Sequence, residues 1–332
     1  MELSRFELGD IVLATENFAE TCCIGVDSNG MVYKAELEHF GNDSSLETQG
    51  TDNGEPSKKR ITVAIKRITS RKGAQGKEGF FSELEMRASY KHPNIVSLLG
   101  FCDEGDEMIL VYEHASKGSL SDCLKNVGNM NNLTWTHRLQ LCLEIARGLN
   151  HLHTKMDILH GDINSANILF DKNNKAKIAY FGISKLHPTN QEAGVKEFRD
   201  PEYETTDPGY ETTGELKRES DVFSFGVVLF EIFSWKLAYD PGYVVVNDKR
   251  LARQSINIDG MIQRLIDPKL KEETDKITSN GGPDKGSLYA FFKVACRCVG
   301  EASQLPMATV IKELERALHL HNKSTNPDEN KE

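Results

Sequence analysis

The sequence predicts an α+β protein of two lobes, an antiparallel β-sheet lobe with one helix followed by a mainly α-helical lobe. Three observations predict it. Runs of β-branched and aromatic residues, Val32–Ala35, Ile61–Ile68 and Met108–Glu113, fall in the first third of the chain, and such residues suit a pleated, half-buried surface. Beyond them Leu139, Cys142, Ile145, Leu149 and Leu152 recur at helical spacing. The 332 residues give room for one large domain or two modest ones.

Taken in order, residues 1–13 form an N-terminal lead, 14–112 the sheet lobe, 113–320 the helical lobe and 321–332 a disordered polar tail. The strands at Val32–Ala35 and Ile61–Ile68 are joined by Gly41–Lys59, rich in Asn, Asp, Ser, Thr and Gly, which predicts a surface loop insertion. Glu78–Ser89 reads as a helix. Ser97–Cys102 and Met108–Glu113 read as strands around an acidic turn, Asp103–Glu107. Thr134 is placed to cap the helix that follows. Asp221–Phe233 is apolar all round, so it predicts a buried helix. Lys271–Gly286, charged and Gly-containing, reads as a loop between further helices at Leu288–Cys298 and Met307–Leu320.

Composition excludes several functions. Acidic residues outnumber basic ones by 50 to 40, a net charge of −10, which argues against a nucleic-acid or anionic-membrane binder. The most apolar stretch, Val222–Phe230, is far too short to span a bilayer, and Met1–Arg5 carries neither an apolar signal region nor a myristoylation glycine. Nothing in this chain is therefore expected to insert in a membrane. Seven cysteines without framework spacing read as reduced thiols of a cytosolic protein.

The chemistry lies in a series of motifs. Gly25-Val26-Asp27-Ser28-Asn29-Gly30 is a damaged glycine-rich loop ahead of Val32. Val63-Ala64-Ile65-Lys66 matches the strand that presents a lysine to phosphates. Glu83, on the expected helix, is placed to pair with Lys66. His160-Gly161-Asp162-Ile163-Asn164-Ser165-Ala166-Asn167 matches H-R-D-L-x-x-x-N except at the arginine, Tyr180-Phe181-Gly182 stands where D-F-G is expected, and Asp200-Pro201-Glu202 where A-P-E is expected. A dinucleotide-binding oxidoreductase is excluded, because these glycines lie between two strands and open no helix.

In this order and spacing the motifs resemble the protein-kinase family, and within it plant receptor-like Ser/Thr kinases, over residues 14–320. The likeness is greatest in Ala14-Thr15-Glu16-Asn17-Phe18, Ile109–Glu113, Ala146–His153 and Ser220–Gly226. It implies a bilobal kinase fold. It also implies that Lys66 holds the α/β-phosphates of ATP, that Glu83 orients Lys66, that Asp162 accepts the hydroxyl proton of a protein substrate, and that Asn167 is one metal ligand. Val32, Ala64 and Leu169 would sandwich the adenine ring beneath Gly25 and Gly30, with Tyr112 as gatekeeper and Glu113–Ala115 as hinge.

The departures fall on charge-handling positions. Tyr180 replaces the aspartate that holds Mg²⁺, a hard cation that prefers carboxylate oxygens. A phenol is neutral at pH 7 and bulkier. Asp27 replaces a glycine of the phosphate loop and Asn164 a phosphate-contacting lysine. Gly161 replaces the arginine that pairs with an activation-loop phosphate, and the substrate-docking stretch before Pro201-Glu202 reads Gly194–Arg199 instead. Arg87 stands where the resemblance implies an apolar residue, and Leu305 where it implies the arginine partner of Glu202. These changes predict a pseudokinase: weak ATP binding, no firmly held Mg²⁺, and a signalling role through other proteins, an active receptor kinase among them. Its expected location is the cytoplasm, at the plasma membrane through a partner. The competing expectation is an active but atypical Ser/Thr kinase.

Overall fold

The computed structural model describes residues 3–27, 30–40, 58–69, 80–81, 83–84, 91–125, 133–179, 185–186, 217–238, 258–275, 282–300 and 305–325. The chain divides into two compact units, Met1–Lys91 with Val96–Ala115, and His92–Ile95 with Ser116–Glu332.

The first unit is a six-stranded sheet. Its strands are β1 (Ser4–Arg5), β2 (Cys23–Asp27), β3 (Gly30–Phe40), β4 (Lys58–Ile68), β5 (Leu98–Cys102) and β6 (Ile109–Glu113), in the order β1-β5-β6-β4-β3-β2. The β3–β4 ladder runs unbroken from Gly30↔Ile68 to Phe40↔Lys58. Lys58 and Lys59, expected at the end of the loop, are therefore strand, because continuing the ladder satisfies their backbone groups whatever their side chains. One face of the sheet carries Tyr33, Ala35, Leu37, Val63, Ile65, Ile109 and Val111, packed with Phe6 and Ile11.

Phe6 and Ile11 come from the lead, which has more structure than the sequence implied. β1 pairs in parallel with β5, and α1 (Leu8–Ala14) follows it. Gly100 permits the pairing, since a Cβ there would lie 2.0 Å from the Ser4 carbonyl oxygen and 2.6 Å from the Phe6 ring. After α1 the chain takes three successive left-handed residues, Glu16, Asn17 and Phe18, with φ of 50°, 60° and 57°. That conformation costs about 1–2 kcal/mol per residue. Thr15 Oγ1 accepts the Phe18 amide at 3.1 Å, and Phe18 packs edge-on to Tyr33 beneath the Arg67 guanidinium, which helps to offset the cost.

The second unit is mainly helical: α2 (Leu120–Lys125), α3 (Trp135–His151), α4 (Arg218–Ser234), α5 (Ile258–Leu265), α6 (Pro268–Asp275), α7 (Lys285–Gly300) and α8 (Met307–Thr325). Short strands β7 (Ile158–Leu159) with β10 (Lys185–Leu186), and β8 (Ile168–Phe170) with β9 (Ala176–Ile178), frame the loop between α3 and β8. Thr134 caps α3, its side chain accepting the His137 amide. Trp135, Phe230, Phe233, Phe291 and Phe292 pack ring against ring, mostly edge to face, at centroid distances of 5.0–6.1 Å and join α3, α4 and α7. Within this core Arg138 forms a buried ion pair with Asp267 and donates to the Ile232 carbonyl at 2.9 Å.

Two expectations change here. Residues 271–275, read as loop, are helical, because Pro268 opens α6 and Asp267 Oδ1 accepts the Lys269 amide at 3.0 Å. Lys285 and Gly286 likewise belong to α7, where Asp284 Oδ1 accepts the Ser287 amide at 2.8 Å. The tail read as beginning at 321 is helical through Thr325, anchored by the buried His321. Among the described residues no helix is long and apolar enough to cross a membrane. All seven cysteines are free, and burial pushes the Cys123 thiol up to about 11 and those of Cys296 and Cys298 to about 12, so none of these three is a ready nucleophile.

Candidate functional site

The sequence-predicted residues form two groups, one in each unit. In the first unit strand register gathers them. Val32 lies opposite Lys66, and Ala64 opposite both Lys34 and Tyr112. Directly paired residues point to the same side, so Val32, Ala64, Lys66, Leu110 and Tyr112 share the face opposite the core that covers α1. Gly30 faces Ile68, and a Cβ there would lie 2.0 Å from the Arg67 carbonyl oxygen. The second glycine of the damaged loop thus has a packing reason for being glycine, independent of any phosphate. Gly25 pairs with Val32 on β2, whose Ile24 and Val26 are exposed.

Lys66 and Glu83 are both buried. Phe80, Phe81, Glu83 and Leu84 are helical, consistent with the helix expected there. Glu83 Oε1 accepts the hydroxyl of Tyr112 in a buried hydrogen bond. Sequence reading assigned Tyr112 only a gatekeeper position; the bond gives the Glu83 carboxylate a neutral donor within the sheet unit itself. Glu113 exchanges bonds with Ser97, its amide donating to the Ser97 carbonyl at 3.0 Å and its Oε1 accepting the Ser97 amide at 2.7 Å. The carboxylate of Glu113 is thus engaged locally. Ala115 is half-buried at the end of the same segment.

In the second unit the loop from His160 to Asn167 is built around two carboxylates. Asp221, near the start of α4, accepts from the backbone amides of His160 (2.9 Å) and Gly161 (2.8 Å) and contacts His153 Nε2 at 2.8 Å. Gly161 takes φ of 78°, a region open to glycine. His160 Nε2 meets the Ala179 carbonyl at 2.9 Å, so its Nε2 carries the proton and its Nδ1 accepts the Asp162 amide at 3.2 Å.

Asp162, the second carboxylate, is bracketed by two amides. Asn167 Nδ2 donates to its Oδ2 and to its backbone carbonyl, both at 2.8 Å, and Asn164 Nδ2 donates to its Oδ1 at 2.8 Å. Burial pushes the Asp162 carboxyl above its ordinary range, against the opposing pull of His160, Asn167 and Asn164. Leu169 stands on β8, half-buried, bridged to Ser119.

The part of Asn164 in this arrangement was missed in the sequence, where it registered only as a missing positive charge. The signal was available: Asn followed by a short turn is an N-cap pattern. The positions of Tyr180, Phe181, Gly182, Arg87 and Glu202 lie outside the described residues, as does the stretch Gly194–Arg199. Leu305 is buried.

Residues 20–257 match the family described as protein tyrosine and serine/threonine kinase. Among curated proteins, the chain is 35% identical over 320 residues to the receptor-like protein kinase HERK 1 of Arabidopsis thaliana, covering 92% of this chain and 34% of that protein. It is 34% identical over 341 residues to the receptor-like protein kinase THESEUS 1 of the same plant, covering 98% and 35%. The chain thus spans about a third of the length of these relatives.

Proposed function

Because this chain belongs to the protein tyrosine and serine/threonine kinase family, we propose that it acts as a pseudokinase, a kinase-shaped scaffold or regulator with weak or no use of Mg-ATP. One observation carries the reading: Tyr180 occupies the place of the carboxylate that grips the metal. Bound Mg²⁺ supplies neutralisation of phosphate charge. Of the residues that would hold it here, Asn167 has committed its amide nitrogen to Asp162, which leaves one neutral amide oxygen. That donor set fits Mg²⁺ poorly, since the ion favours carboxylates. Losing metal stabilisation of a transition state costs several kcal/mol, and each ~1.4 kcal/mol is tenfold in rate.

In this reading Lys66 and Glu83 serve the sheet unit as buried polar residues, Glu83 held by Tyr112, and Asp162 serves the loop as a hydrogen-bond hub. The partners are other proteins, with an active receptor kinase of the same family the best candidate. The chain acts in the cytoplasm, reaching the plasma membrane through that partner. One observation favours the alternative of an active, atypical Ser/Thr kinase: Lys66, Glu83, Asp162 and Asn167 are all present. Among the described residues, Asp162 also keeps about two of its four lone-pair directions for a substrate hydroxyl.

Transfer of radiolabelled phosphate from ATP to a generic protein substrate, run beside Asp162→Asn, decides between them. The proposal expects no transfer above that of the variant. Thermal shift should show a small stabilisation by ATP that Mg²⁺ does not enlarge. Transfer abolished by Asp162→Asn, or a large Mg²⁺-dependent shift, would establish the active enzyme instead.

A further inference from the structure

Asn164 has two ends, and both are in use. Its Oδ1 accepts the backbone amides of Ala166 at 2.9 Å and Asn167 at 3.1 Å, capping the short turn Ser165–Asn167. This fixes which end of the amide is oxygen, because only an acceptor can meet two N–H groups. The nitrogen must then point the other way, and it lies 2.8 Å from Asp162 Oδ1 and 3.3 Å from the Asp162 carbonyl. Asn167, whose backbone amide is held by that cap, sends its side-chain Nδ2 to the other carboxylate oxygen at 2.8 Å. The result is a closed ring: carboxylate to Asn164, Asn164 to the turn, the turn to Asn167, and Asn167 back to the carboxylate.

We infer that Asn164 is the positioning residue of Asp162, fixing the carboxylate in plane from within the chain. A lysine at this position has no acceptor and could not cap the turn; a serine could cap it but could not reach both partners as an amide does. Asparagine is the residue that orients Asp162 and caps the turn at once, without any bound phosphate or metal. The loop is therefore set before a ligand arrives. The inference takes from the functional proposal only that Asp162 stands at the base position.

A reciprocal exchange tests it. In Asn164→Asp the capping oxygen remains, but a carboxylate faces the carboxylate of Asp162. In Asp162→Asn two amide donors converge where only one acceptor oxygen remains. In the double variant D162N/N164D the amide introduced at 162 donates to the carboxylate introduced at 164, and its oxygen still accepts from Asn167. Each single substitution should lower the melting temperature by about 3–6 °C, as expected for a lost charge-assisted bond, and the double variant should recover more than half of the larger loss. Melting losses that simply add in the double variant would overturn the inference. If Asn164→Asp does not fold, folding of the double variant is itself the rescue, and Asn164→Ser, which keeps an oxygen but no amide, gives the single-variant value.

Hydrogen exchange separates bridge from cap. The Ala166 and Asn167 amides should stay protected in Asn164→Asp while its melting temperature falls; retained protection with an unchanged melting temperature would show that Asn164 acts only as a cap, sinking the inference. Phosphate transfer by the unaltered protein would refute the scaffold proposal without touching this cycle. Additive losses would refute the positioning role without touching the scaffold proposal.

Discussion

The two units satisfy their buried charges by different means. In the helical unit the donors around Asp221 are two backbone amides and a histidine held by α3 and its continuation, and Arg138 is tied to both Asp267 and the end of α4. Those charges are part of the packing. In the sheet unit Lys66 on β4 and Glu83 on the helical segment are buried, with Tyr112 donating to Glu83. A charge fixed by backbone geometry is a fold requirement, whereas one satisfied by a neighbouring side chain depends on residue choice. Asp162 lies between these cases, in the helical unit but held by side-chain amides.

The largest effect is expected at Arg138. Arg138→Ala should cost about 3–5 kcal/mol in urea unfolding, since Asp267 would be left buried without its cation. A loss below about 1 kcal/mol would mean that the pair is not integral to the fold. Next in size, Gly100→Ala should destabilise by about 1–3 kcal/mol, because its methyl group would collide with the Ser4 carbonyl. Protection of the β5 amides in hydrogen exchange should fall with it. Tyr112→Phe should cost about 1–3 kcal/mol by removing the donor to the Glu83 carboxylate; a neutral effect would show that Glu83 relies on other partners. The smallest effect is acid sensitivity. His92 and His151 lie 4.8 Å apart, and burial holds both below the ordinary histidine value, helped by Lys177 at His92 and by Lys155 at His151. Depressed values mean that the unfolded chain binds protons first, so stability is full above the unfolded value of about 6.5 and is lost as pH falls through the folded values. Asp162, raised by burial, acts with the opposite sign. His151→Phe should therefore flatten the decline of melting temperature between pH 7 and pH 5, and an unchanged slope would exclude the pair as its source.

What was legible in the sequence follows from the range of each interaction. Strands β3–β6 and helices α3, α4 and α7 were readable because periodicity is a local pattern that the core repeats along one element. The lead was not, because Ser4–Arg5 is too short to show a period and its pairing with β5 bridges about a hundred residues. The helix α6 hid behind composition, since its start depends on Asp267 and Pro268 rather than on apolar spacing. At the site, Lys66, Glu83, Asp162 and Asn167 were visible through spacing to neighbouring motifs. The bonds of Tyr112 to Glu83 and of Asn164 to Asp162 were not, because motif matching grades a position by the residue it lacks and does not see what the substitute touches.

The parallel docking of β1 has a practical consequence for anyone trimming this protein. The family match begins at residue 20, which invites a truncated chain starting there. Such a chain would lose Phe6 and Ile11 from the apolar face and strip the cover from the β5 edge. Bare sheet edges recruit one another, so the shortened protein should precipitate or self-associate where one beginning at residue 3 stays dispersed.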